Sequence, residues 1–332
     1  MTMRAEGFKK HLAGRGYSPD KVAETLIHVR EAEDSFKARG KTLEDASVDD
    51  YMLYVEKLME EGRNTEDRLD SLSRFVQFLN LKGPWIYFAS ILGGRTILPS
   101  IRGRLTMIAG EEASDAVFSK VQVPPLGSPP SAYLDATSSL MKRIMKLSPD
   151  KYRRALAGNH HKVPEASFEK HRGWLREEGS IDAWLKRMHK EAVADLERHL
   201  REGKVWFEQV ITPEVVEYVK GNQEILSGVR RGKWIYTTKI PYSPKEYLAE
   251  ADPLMKRYYM CHCPLAREAV LRGEPEIPME WCYCSAGFVK LRYDVVFGTD
   301  TEAEVLESVF SGSDRCRFRI RIPDEYLDQL RR

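Results

Sequence analysis

Residues 123–130 read Val-Pro-Pro-Leu-Gly-Ser-Pro-Pro, and no helix or inner strand can run through them. Each proline lacks a backbone donor, fixes its own φ and bars its predecessor from the helical region. In a chain of 332 residues this stretch predicts an extended crossing or linker between a helical front and the rest. The length suits about two domains of roughly 100–200 residues each. With 42% hydrophobic residues there is enough apolar material for real cores, which excludes global disorder. No run approaches the ~20 apolar residues of a membrane span, so no membrane partner is expected. The opening MTMRAEGFKKHLAGRG has no apolar core followed by a small-residue cleavage site, which predicts a cytoplasmic chain.

Residues 1–83 read as a helical bundle. Ser18-Pro19 starts a helix with serine as cap and proline in its first turn. Val22, Leu26, Val29 and Phe36 follow at helical spacing, and Gly40 stops it. Ser47 with Asp50 predicts a capping box ahead of Tyr51, Tyr54, Val55 and Leu58. Asn64 is the expected cap of a helix carrying Leu69, Leu72, Phe75, Val76 and Leu79.

The order of Phe8, Leu12, the Arg15-Gly-Tyr-Ser-Pro turn, Tyr51 to Leu58 and the Leu72-Ser-Arg-Phe-Val-Gln-Phe-Leu ending resembles the core-binding (SAM-like) domain of tyrosine recombinases and phage integrases. In that family the unit clamps DNA, so the resemblance implies DNA as a partner. Lys9, Lys10, Arg15, Arg63, Arg68 and Arg74 are then the candidate phosphate contacts. Charge argues the other way. Residues 1–83 hold 14 Lys+Arg against 16 Asp+Glu, while the whole chain stands at +2. The recombinase catalytic domain is missing: none of the eight histidines has arginine three residues later. Strand-transfer chemistry is excluded on that ground, and Tyr326 reads as an ordinary helix residue.

The middle is mostly helical. Gly83-Pro84 and Gly93-Gly94 break the chain, and helices are expected over 97–121, 132–145 and 181–202, with a short one after Thr212-Pro213. Residues 232–241 alternate like a strand. Asn159-His160-His161 falls in a turn, and adjacent histidines rarely share a metal. Arg230, Lys239 and Tyr242 are candidate contacts for a small-molecule ligand with an anionic group, alongside the plainer reading of a surface cluster. The expected organisation is a helical domain at 1–83, a helical connector with a proline-rich end at 84–130, and a cysteine-rich α/β domain at 131–332. In fold class this is α+β: an all-α bundle, a mostly helical linker and a C-terminal domain with a small antiparallel sheet.

The five cysteines, Cys261, Cys263, Cys282, Cys284 and Cys316, all fall in one 56-residue stretch. An odd number in a reducing compartment argues against a disulfide framework. Cys261, Cys263, Cys282 and Cys284 form two Cys-x-Cys pairs that can supply four thiolates to a soft metal, so zinc is the expected cofactor if there is one. Residues i and i+2 neither share a helix face nor approach closely on a strand. Chelation therefore needs turns or helix starts. Pro264 predicts a helix start just after the first pair, and Ser285-Ala-Gly follows the second. The plainer alternative buries these thiols beside Tyr258, Tyr259 and Trp281. His262 lies between two candidate ligands and is expected to point away from them.

After Cys284 the chain reads as a helix and then two strands, with Cys316 in phase with Phe318 and Ile320 and so facing the core. Glu307, the Gly312–Asp314 turn and Cys316-x-Phe-x-Ile resemble the end of 4-vinyl-reductase-like and 2-aminothiazoline-4-carboxylate hydrolase-like domains. That resemblance implies an α/β fold around a small-molecule pocket, in some members with zinc nearby. Phe310 stands where such domains often carry a cysteine. The CHCP and WCYCSAGF segments also resemble an uncharacterised cysteine-rich prokaryotic family.

Three functions follow. The favoured one is a metal- or small-ligand-binding protein with a thiolate-rich C-terminal site and a DNA-contacting front domain. The second is a thiol- or zinc-dependent hydrolase or reductase with Cys282 or Cys284 as nucleophile or ligand. The third is a non-catalytic structural or adaptor protein.

Overall fold

The computed structural model describes residues 3–329. The chain divides into two compact units. The first runs to Arg95 and takes in Pro124–Pro129; the second comprises Thr96–Val123 and the chain from Pro130 onward.

The first unit is five helices: α1 (Met3–Gly14), α2 (Pro19–Lys37), α3 (Val48–Glu60), α4 (Glu66–Phe78) and α5 (Lys82–Gly93). Ser18 caps α2 by accepting from the Lys21 N–H at 3.3 Å. At α3 the expected capping box is present: Ser47 Oγ accepts from the Asp50 N–H at 3.3 Å, and Asp50 returns the bond to the Ser47 N–H at 2.9 Å. Lys41 Nζ also holds both Asp50 oxygens, at 2.6 and 2.7 Å. Lys41, then Ser47, bring the Asp50 carboxyl down to about 2. Phe8, Phe36, Tyr51, Leu58, Leu72 and Phe88 are among the buried side chains at the centre.

Two expectations are corrected here. Thr65, not Asn64, occupies the cap position of α4. Asn64 instead donates from Nδ2 to the Leu126 carbonyl at 2.7 Å, which fastens the proline-rich stretch to the first unit. The 84–130 connector does not stand apart either. Phe88, Ile91 and Leu92 of α5 join the first core, while Ile97, Leu98, Ile101 and Leu105 join the second. Burial of apolar residues divides the segment where glycine and proline spacing does not.

The second unit contains α6 (Ile97–Ala109), α7 (Glu111–Phe118), α8 (Leu134–Ile144), α9 (Pro149–Leu156), α10 (Glu169–Glu178), α11 (Ile181–Glu202) and α12 (Pro213–Lys220). Then follow strands β1 (Val229–Arg231) and β2 (Trp234–Thr238), and helices α13 (Pro244–Ala249), α14 (Pro253–Met260), α15 (Glu268–Arg272) and α16 (Tyr283–Phe297). Strands β3 (Ala303–Glu307) and β4 (Arg317–Arg321) and helix α17 (Asp324–Gln329) end the description. The expected helix over 97–121 is two helices, because Gly110 takes a φ of 89° between them.

The sheet is antiparallel throughout, in the order β1-β2-β4-β3. This is the α+β class expected from the pattern. Ile235 stands opposite Ile320, and Thr237 opposite Phe318; all four face the core. The other face alternates in charge and ring: Arg319 lies 4.3 Å over Trp234, and Arg317 lies 5.1 Å over Tyr236. Carboxylates balance these cations. Glu224 accepts from Arg317 Nε at 2.7 Å and Nη2 at 2.8 Å, and Glu304 accepts from Arg319.

Helix α16 is the centre of this unit. It buries residues all round its axis, including Cys284, Ala286, Val289, Leu291, Tyr293 and Phe297. Its one buried cation, Lys290, is held by Asp294 and Asp300, and Asp294 also takes the Thr301 N–H at 2.9 Å. Gly287 sets the approach distance to the turn after α9. A Cβ there would lie 2.5 Å from the Gly158 oxygen and 2.6 Å from Ala157 carbonyl carbon. Gly287→Ala is expected to destabilise the chain by about 1–3 kcal/mol through overpacking against backbone. Chemical denaturation of the variant against the native chain checks this.

Candidate functional site

The 157–161 turn is pinned from several sides. His160 Nε2–H donates to the Leu156 carbonyl at 2.8 Å, which leaves Nδ1 to accept from the Ser100 hydroxyl at 3.0 Å. Its own carbonyl accepts from Thr96 Oγ1 at 2.7 Å. Burial lowers the His160 pKa to about 4. The turn therefore presents the next residue, His161, at a fixed place. The His161 ring meets the Phe288 ring at 5.2 Å, edge to face.

Lys239, just past β2, reaches the same place from the sheet. Its Nζ donates to Ser285 Oγ at 3.2 Å and lies 5.5 Å over the Phe288 ring. The next residue, Ile240, accepts at its carbonyl from His262 Nε2–H at 2.6 Å. That bond lays the Cys261-His-Cys263 segment alongside Lys239. The His262 ring in turn meets Tyr242 at 5.5 Å, edge to face. Arg267 lies between two tyrosine rings, 4.6 Å from Tyr242 and 4.5 Å from Tyr258, and donates to the Tyr258 hydroxyl at 3.1 Å. Tyr258 passes its own hydrogen to Glu268 at 2.8 Å.

Cys263 opens the turn that carries Arg267: the Arg267 N–H donates to the Cys263 carbonyl at 3.0 Å. The expected helix from Pro264 is a run of turns leading into the short α15. The Cys263 sulfur accepts from the Trp281 indole N–H at 3.0 Å. Burial raises the Cys263 thiol, opposed by that indole, by the Leu265 and Ala266 N–H groups and by the Lys239 ammonium. Of the five free thiols, Cys263 alone is half-buried and the other four are buried.

Burial acts on most of the titratable groups in this cluster. Burial, then Lys239, lowers the His161 pKa to about 4. His262 is pushed well below the ordinary histidine value by burial, followed by Lys239. Glu208 is raised by burial, against a hydrogen bond from Tyr242 and the fields of Lys239 and Arg267. Such a collection gathers a thiol, two neutral imidazoles, a carboxyl and two fixed cations near one another.

The four expected metal ligands are all in this region but differ in surroundings. Cys282 caps α16 with its sulfur 3.0 Å from Ser308 Oγ, and Cys284 lies in the first turn of the same helix. Burial raises Cys261, Cys282 and Cys284 alike, so each carries its proton at neutral pH. Among the described residues, no group of three or more His, Cys, Asp or Glu side chains is gathered so as to hold a metal ion. Cys316 faces the core as its alternation requires.

Of the expected ligand contacts, Lys239 and Tyr242 come together and Arg230 does not. Arg230 donates from Nε to Asp182 at 2.9 Å, because β1 runs beside the start of α11. In the first unit, Arg63 pairs with Glu31 at 2.7 Å and Glu61 at 2.9 Å, and Arg68 also pairs with Glu31. Arg74 pairs with Asp70 at 3.5 Å and lies 4.8 Å over Tyr17, and Arg15 reaches Gln77 at 3.3 Å. Helix surfaces crowded with both signs satisfy their cations internally. Lys9 and Lys10 are exposed on α1. Arg267, Glu208, Ser285 and Phe288 were not anticipated. No local spacing marks them, and they meet only through the fold.

A family model described as a family of unknown function (DUF6144) matches residues 245–327. The match takes in both Cys-x-Cys pairs and Arg267 and leaves His161, Glu208, Lys239 and Tyr242 outside. No curated protein and no solved structure matches the chain. No helix among the described residues is long and apolar enough to cross a membrane.

The His160 anchor generates a pH dependence. Its folded pKa of about 4 lies below the ordinary histidine value of 6.5. Between these values only the unfolded chain takes up the proton. The His160 contribution is therefore intact above about pH 6.5 and is lost as pH falls toward 4. Denaturant midpoints between pH 7 and pH 5 should fall for the native chain and fall less steeply for His160→Gln.

Proposed function

We propose that the second unit is a small-ligand-binding domain whose site is the side-chain cluster around Lys239, His262, Cys263 and Arg267, with Cys263 as its reactive group. The observation that carries this reading is convergence. A half-buried thiol, two cations and two neutral histidines arrive in one place from four separate stretches of chain: His161, Lys239, the 262–267 turn and the start of α16. A stable core does not call for such a set, and desolvating it costs free energy. Zinc is less well supported by the same residues. The thiols would have to give up protons that burial holds on them, and no group of three ligands stands ready among the described residues.

A second reading, a thiol-dependent enzyme of the hydrolase or reductase kind, is favoured by the Trp281–Cys263 contact. An indole N–H aimed at sulfur stabilises the thiolate that would act as nucleophile. It moves the expected nucleophile from Cys282 or Cys284 to Cys263. DNA binding by the first unit is supported by its resemblance to core-binding domains, and is weakened by the carboxylate partners of Arg63, Arg68 and Arg74.

Native-state alkylation with iodoacetamide, mapped by peptide mass spectrometry, tests the site. Cys263 should be modified first, with the four buried thiols following only on unfolding. Prior modification of Cys282 or Cys284, or about one tightly held zinc per chain in elemental analysis, would sink the proposal.

A further inference from the structure

We infer that this cluster selects a small carboxylate, received by Lys239 and Arg267 and presented to the Cys263 sulfur. The inference rests on the ligand-site reading above and names the class of ligand. Its basis is the state of the two cations. Among the described residues neither Lys239 nor Arg267 forms an ion pair. Several cations drawn into this unit do have carboxylates: Arg104 meets Asp300 at 2.5 Å, Arg317 meets Glu224 at 2.7 Å, and Lys290 is held by Asp294 and Asp300, while Arg292 and Arg257 reach backbone carbonyls at 2.7 and 3.4 Å. A cation withdrawn from water without a counter-charge is costly, and an incoming anion relieves that cost.

The fixed contacts leave donors over. The Lys239 ammonium has three N–H groups, and its hydrogen-bond partner in the structure is Ser285 Oγ at 3.2 Å. Phe288 lies against the same ammonium at 5.5 Å without taking a conventional hydrogen bond. Arg267 is held between the Tyr242 and Tyr258 rings, so its place is fixed before any ligand arrives. It uses one nitrogen on the Tyr258 hydroxyl at 3.1 Å. His161 and His262 are neutral and add no further positive charge to the two cations. Glu208 is the carboxylate that faces both cations, and it is tied to Tyr242 in a buried position where its charge is disfavoured.

The thiol belongs to the same arrangement. The 2.6 Å bond from His262 to the Ile240 carbonyl sets the Cys263 segment beside Lys239, and Arg267 is one helical turn on from Cys263. A carboxylate docked on the two cations therefore brings its neighbouring carbon toward sulfur.

Two alkylating reagents of nearly equal size separate charge from access. Iodoacetate and iodoacetamide both react by attack of sulfur on the methylene carbon. A C–S bond forms, the C–I bond breaks with loss of iodide, and the thiol proton passes to buffer. Only iodoacetate carries the carboxylate. The measurement is the iodoacetate-to-iodoacetamide rate ratio at Cys263 in the full chain, divided by the same ratio for glutathione. The expected value is about tenfold above unity at low salt, falling as salt rises. Lys239→Met should return it to near unity, and Lys239→Arg should keep most of it. A native ratio equal to that of glutathione, or one unmoved by Lys239→Met, overturns the carboxylate inference and leaves the ligand site standing. A Cys263 that reacts with neither reagent overturns both.

Discussion

Helix α16 is surrounded by protein on every side, and the second unit depends on how that burial is made tolerable. A helix in this position needs small residues where backbone comes close and a counter-charge wherever it carries a cation. Gly287 meets the first need against Ala157 and Gly158. Asp294 and Asp300 meet the second at Lys290, and Arg104 ties Asp300 back to α6. The first turn of α16 thereby acquires a fixed position. Ser285 and Phe288 are on that turn and the next, so the residues that touch Lys239 are positioned by the same packing that stabilises the unit.

The cluster around Lys239 shows a different balance of charge. At Lys290 a buried cation is matched by two carboxylates, and at Glu224 a buried carboxylate is matched by Arg317 and Thr238. Around Lys239 and Arg267 the neighbours are a hydroxyl, aromatic faces, thiols, neutral imidazoles and the Glu208 carboxyl, whose charge burial disfavours. Low polarity strengthens every charge interaction there, including those with a molecule that enters. The same burial that keeps the thiols protonated and uncharged keeps the histidines unprotonated, so the charges left in the cluster are chiefly those of the two cations.

Much of the local structure was legible because it follows from short-range chemistry. Ser18-Pro19, the Ser47–Asp50 box, the helix over 181–202 and the inward phase of Cys316 each depend on residues within a turn or two. What escaped depends on partners far along the chain. Asn64 reads as a cap, yet Leu126, which arrives after the proline-rich stretch, claims its side chain. Arg63, Arg68 and Arg74 read as phosphate contacts until Glu31, Glu61 and Asp70 are seen beside them. Arg230 reads as a ligand contact until the start of α11 brings Asp182 to it.

By itself the sequence determined that a helical front precedes a mixed α+β domain, and that the reactive candidates concentrate near the two Cys-x-Cys pairs. Periodicity, caps and proline are sufficient for that, because they act over a few residues. Only the tertiary structure decided which thiol is half-buried, which cations form no ion pair, and that His161, Lys239 and Arg267 come near the same His262 ring. Those are properties of burial and of distance in space. Residues 161, 239 and 267 become neighbours only once α16 is packed against the turn after α9 and the Cys261–Cys263 segment is bonded beside Lys239.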